Sequence, residues 1–110
     1  MDMFYELLMK IKKKPMMYMV KKSILHLQML ILGYDIGKSE VDNNYHSILD
    51  GFGDFANEYC GRNARAAGWA MNIYHYTNKD EEKAFDKFYE LLDEFLKQKG
   101  NPEPTKSTEI

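Results

Sequence analysis

Asp50, Asp54 and Glu58 recur at i, i+4 and i+8, the spacing that lines residues along one side of a helix. No Lys or Arg falls between them. Like charges one turn apart cost their own helix a few tenths of a kcal/mol, so the row does nothing for local stability. What it can do is electrostatic: clustered carboxylates raise the encounter rate and specificity toward a cationic surface. A site built to bind phosphates is such a surface. Asp42 and Tyr45 stand at the N-terminal end of the row and complete the candidate partner-binding set. The plain alternative is a solvated helix face.

The other reactive side chains are scattered. His26, His46 and His75 fall on three different expected elements, and no two lie one helical turn apart, so no metal site is expected. The lone Cys60 excludes an internal disulfide, and nothing beside it would activate a thiol. The chain has no GxSxG, GxxxxGK[ST] or HExxH motif, and Gly51-Phe52-Gly53 lacks the third glycine of a dinucleotide loop. These absences point away from an enzyme. No cofactor and no small-molecule substrate are expected.

Charge is segregated along the chain. Residues 1–34 carry six Lys against two acids, whereas residues 35–60 carry six acids against Lys38. The acids of 80–94, among them Glu82, Asp86, Glu90 and Glu94, are flanked by Lys83, Lys87 and Lys97 and read as an ordinary solvated face. The formal net charge of −2 gives no overall pull toward nucleic acid or membrane. One cysteine and an N-terminus without a signal-peptide pattern suggest a cytoplasmic setting.

The elements that must position these groups read as helices. The fold expected is all-α: a single-domain bundle of about five helices over residues 1–100, around a central apolar helix, with a flexible tail over 101–110. Asp2 caps a first helix to about Lys13, buried along Phe4, Leu7, Leu8 and Ile11 and stopped by Pro15. Met16 to Val20 form an apolar connector expected to pack beneath the next helix. That helix, capped by Ser23, is apolar nearly all round from Ile24 to Tyr34, ends near Gly37, and should be covered on most sides. After a polar loop over Lys38 to Asn44, Tyr45, Ile48, Leu49, Phe52, Phe55, Ala56 and Tyr59 define a third helix stopped by Gly61. Arg62 to Ala66 form a loop or first turn. Ala67 to Tyr76 form a fourth helix with Trp69 as core anchor. Asn78 and Glu81 form a capping box for a fifth, from about Lys79 to Lys99. Its stripe is Ala84, Phe85, Phe88, Leu91, Leu92, Phe95 and Leu96, and Gly100 closes it.

Two segments, Lys10 to Tyr34 (KIKKKPMMYMVKKSILHLQMLILGY) and Gly68 to Leu96 (GWAMNIYHYTNKDEEKAFDKFYELLDEFL), together resemble a known group. The pattern is a basic helix end, a Pro-x-Met-Tyr turn, a Lys-Ser cap and an apolar helix ending in Gly-Tyr, then a lone-Trp helix and an Ala-Phe-x-x-Phe-x-x-Leu-Leu helix. It is similar to small all-helical immunity proteins of bacterial contact-dependent growth inhibition and other polymorphic toxin systems. Where members often have glycine in the turn, this chain has Met16 and Met19. The resemblance implies a protein that binds and neutralises a cognate toxin domain, such as a basic nuclease, by blocking its active site. Two alternatives stand beside it. One is a nucleic-acid-binding module using Lys10, Lys12, Lys13, Lys14, Lys21 and Lys22, disfavoured by the net charge. The other is a helical oligomerisation subunit acting through the apolar connector.

Overall fold

The computed structural model describes residues 2–61 and 68–100. Five α-helices follow in order: α1 (Met3–Lys13), α2 (Ile24–Val41), α3 (Phe52–Cys60), α4 (Gly68–Tyr76) and α5 (Glu81–Gln98). A short 3-10 turn, Pro15–Met17, lies between α1 and α2, and there is no strand among the described residues. The chain therefore adopts the expected all-α bundle. The expected loop over Arg62 to Ala66 and the tail over 101–110 lie outside the described residues.

The interior is built on α5. All seven residues of its expected stripe are buried, and Tyr89 is buried with them. Each large apolar side chain removed from water contributes about 1.5–3 kcal/mol. The helix starts later than the Asn78 cap would place it: Asp80 is the cap, its Oδ1 accepting from the Lys83 amide at 2.9 Å. Asn78 and Lys79 instead form a left-handed turn, with φ of 61° and 64°. Phe52 of α3 meets Phe88 and Phe95 of α5 edge-on at 5.2 and 5.5 Å, and Trp69 of α4 at 5.3 Å. Trp69 anchors this cluster by stacking on Phe88 at 5.2 Å, but it is half-buried.

Two polar links tie the outer helices to α5. The Tyr89 hydroxyl donates to the Leu8 carbonyl of α1 at 2.7 Å. Ser23 caps α2 as expected, accepting from the Leu25 amide at 3.1 Å, and its hydroxyl donates to Glu81 at the start of α5.

α2 departs from expectation in two ways. It runs through Gly33 and Gly37 to Val41, taking in residues expected to be loop. It also lies at the surface: Ile24, Leu27 and Ile31 are buried, while Met29, Leu32, Ile36 and Val41 are exposed. The interior position belongs to α5, whose single wide stripe packs against several helices. The apolar connector is corrected too. Met16, Met17, Tyr18 and Val20 are exposed, and only Met19 of that stretch packs partly against the core.

α3 is shorter than its apolar period suggested. Local side-chain bonds divert the backbone before it: Asp42 Oδ1 accepts from the Asn44 amide at 2.9 Å, and Ser47 Oγ from the Leu49 amide at 3.0 Å. Such bonds compete with helix formation. Gly51, at φ 87°, redirects the chain into the helix, and Gly61, at φ 70°, closes it as expected. Ile48 and Leu49 still pack against the core, from turns rather than from a helix.

Candidate partner-binding surface

The five candidate residues do not lie on one helix. Asp54 and Glu58 are one turn apart on α3 and both are exposed, opposite its buried Phe52 and Ala56. Asp50 is exposed on the preceding turn, just ahead of Gly51. The expected unbroken ridge is thus a two-residue helical row with a third carboxylate on the turn before it. The Asp50 side chain lies 3.9 Å from His46 Nδ1, and its carbonyl receives Lys99 Nζ at 3.4 Å, so a cation from outside α3 does approach this end.

Asp42 and Tyr45 are placed differently. Asp42 is the exposed C-terminal cap of α2 and shapes the turn that follows. Tyr45 is half-buried, and its hydroxyl donates to Asp35 Oδ1 of α2 at 2.8 Å. Its ring lies against Tyr34, which stacks on Phe4 of α1 at 4.5 Å. Burial, and then the Asp35 carboxylate, push its phenol well above the ordinary range. Tyr45 therefore pins the 42–51 segment to α2 instead of presenting itself with Asp50.

Asp54 and Glu58 differ in what the helix does for them. Asp54 sits in the first turn, where the positive end of the helix dipole favours a carboxylate. Glu58 sits in the last turn, where the dipole disfavours it. Among the described residues neither forms an ion pair.

Beside Glu58 lies a cluster that the sequence reading missed. Tyr59 of α3 and Tyr76 of α4 meet edge-on at 5.6 Å, both exposed, with Lys87 Nζ of α5 lying 5.6 and 5.9 Å from their ring centres. Glu90 accepts from Lys87 at 3.0 Å and, against the effect of burial, holds the Lys87 ammonium above its ordinary range. The Tyr76 phenol is pushed up chiefly by its hydrogen bond with Tyr59. Both tyrosines fall on apolar periods, which is why they read as core. The available cue is their position in the last turns of short helices, where the stripe outruns the partner helix.

The basic segment is partly engaged. Lys21 pairs with Glu81 at 3.1 Å and Lys22 with Asp86 at 2.9 Å, while Lys10, Lys13 and Lys14 point outward. His26, His46 and His75 stand on α2, the 42–51 segment and α4. Among the described residues no group of three His, Cys, Asp or Glu side chains could hold a metal ion, and no helix is long and apolar enough to cross a membrane. No known protein family, curated protein or solved structure matches the chain.

Proposed function

We propose that this chain is a binding protein that neutralises a basic toxin domain by covering it, with no chemistry of its own. The observation that carries the reading is the exposed pair Asp54 and Glu58 beside the exposed Tyr59–Tyr76 pair. Carboxylates answer the cations of a phosphate-binding active site. Exposed tyrosines supply large, rigid contact area of the kind that dominates protein interfaces. The immunity-protein resemblance of Lys10 to Tyr34 and Gly68 to Leu96 names the class of partner: the toxin domain of a contact-dependent inhibition system, with a nuclease the best fit to an acidic face. Blocking is steric and electrostatic, so affinity resides in a few desolvated charge pairs and aromatic contacts. The test is protection. Cells expressing the toxin domain encoded beside this chain should survive when the chain is co-expressed, and death at equal toxin levels would overturn the reading.

A further inference from the structure

α2 carries two apolar seams where a surface helix ordinarily carries one. Ile24, Leu27, Ile31 and Tyr34 face the bundle. On the opposite side Leu25, Met29, Leu32 and Ile36 follow one another at alternating steps of four and three, the a/d spacing of a coiled-coil seam. Leu25 packs partly against the core, but the rest of this side is open: Met29 is 64% exposed, Leu32 49% and Ile36 52%. Gly33 and Gly37 lie beside the seam, and a methyl group added at either would meet nothing within 4 Å.

We propose that this face is the interface with a second copy of the chain, joined by antiparallel pairing of α2 with its equivalent about a two-fold axis. Two features select a second copy as the occupant. First, the exposed part of the seam, from Met29 to Ile36, is centred on the helix. The midpoint of the 18-residue helix falls between Leu32 and Gly33. An antiparallel pair about that point sets Met29 against Ile36 and Leu32 against Gly33, so side chains oppose side chains and a leucine enters the gap over a glycine. A two-fold interface must be self-complementary in this way.

Second, the charges beside the seam complement themselves under the same operation. Exposed Lys21, which also pairs with Glu81, stands just ahead of the N-terminal end of α2. At its C-terminal end Glu40 and Asp42 are exposed, with Lys38 half-buried among them. Phe4 of α1 stacks on Tyr34 in the C-terminal half of α2, and so brings exposed Asp2 toward the acidic end. Antiparallel pairing places each basic end on an acidic end twice over. Parallel pairing would set like charges together. α3 packs chiefly on α4 and α5 and keeps Asp54 and Glu58 on its exposed side, apart from the α2 seam.

Sedimentation equilibrium of the full chain at tens of micromolar should give twice the 13.0 kDa chain mass. Ile36→Glu should raise the dissociation constant about tenfold or more, with unchanged helical circular dichroism and an unchanged melt once both proteins are diluted to monomer. Pairing direction is read by oxidation in a Cys60→Ser background. Met29→Cys and Ile36→Cys should crosslink when mixed, and neither should crosslink alone, because seven helical residues separate the equivalent positions by about 10 Å. A chain that stays monomeric, or whose single-cysteine variants crosslink alone as well as in the mixture, overturns the proposal. In the first case the seam belongs to a different partner, such as the toxin.

Discussion

The phenol of Tyr89 on α5 donates a 2.7 Å hydrogen bond to the main-chain carbonyl of Leu8 on α1, inside a nearly closed interior. It is a polar link between the first and last helices, joining residues 81 apart in sequence. Tyr89→Phe keeps the ring and removes the bond, and should destabilise the fold by about 0.5–1.5 kcal/mol in denaturant melts. Burial also pushes this phenol up from its ordinary value of 10.0. The unfolded chain therefore loses its proton first as pH rises, and stability should fall above about pH 10. The variant should show a shallower alkaline loss.

Glu81 offers the opposite sign. The Ser23 hydroxyl, and then the Lys21 ammonium, hold its carboxyl below the ordinary 4.5. A depressed carboxylate stabilises the fold above its unfolded value, and that stabilisation is lost as pH falls through the folded value. Thermal melts from neutral pH down to pH 3 should show this acid limb. Glu81→Gln should flatten it and should lower stability mainly at neutral pH. An identical acid limb in both proteins would count against the Ser23–Glu81 link.

How much of this was legible in the sequence differs from helix to helix. α5 was readable because one wide stripe at helical period has one physical meaning, and every residue of that stripe is buried. Its start was misplaced because Asn78 and Asp80 are both good caps two residues apart. α2 was readable as a helix but not as a surface helix. Two opposed apolar seams average to uniform hydrophobicity, and sequence does not say which one the bundle covers. For α3, Tyr45, Ile48 and Leu49 kept helical spacing while Asp42 and Ser47 bonded the backbone into turns. Of the candidate site, exposure of Asp50, Asp54 and Glu58 followed from their apolar neighbours, whereas the role of Tyr45 depended on Asp35, ten residues away.

Gly33→Ala separates the free chain from its dimer. The position is helical and open, so alanine should raise the stability of a monomeric Ile36→Glu chain by up to about 1 kcal/mol. In the otherwise unchanged chain the added methyl group would meet Leu32 of a second copy and weaken self-association. Melts of the first and sedimentation of the second should therefore move in opposite directions. Stabilisation of both would place the seam elsewhere.

The most direct measurement of the proposed function is calorimetric titration of the cognate toxin domain with charge-neutralised variants of this chain. Asp54→Ala and Glu58→Ala should each alter the melt of the free protein by less than about 0.5 kcal/mol. If their carboxylates meet desolvated cations, removing one leaves a partner charge buried and unpaired, at a cost of about 2–5 kcal/mol. Each variant should then weaken the complex about 30-fold or more, while Glu94→Ala on the exposed side of α5 leaves affinity unchanged. Full affinity and full protection in cells after Asp50, Asp54 and Glu58 are all neutralised would contradict the account.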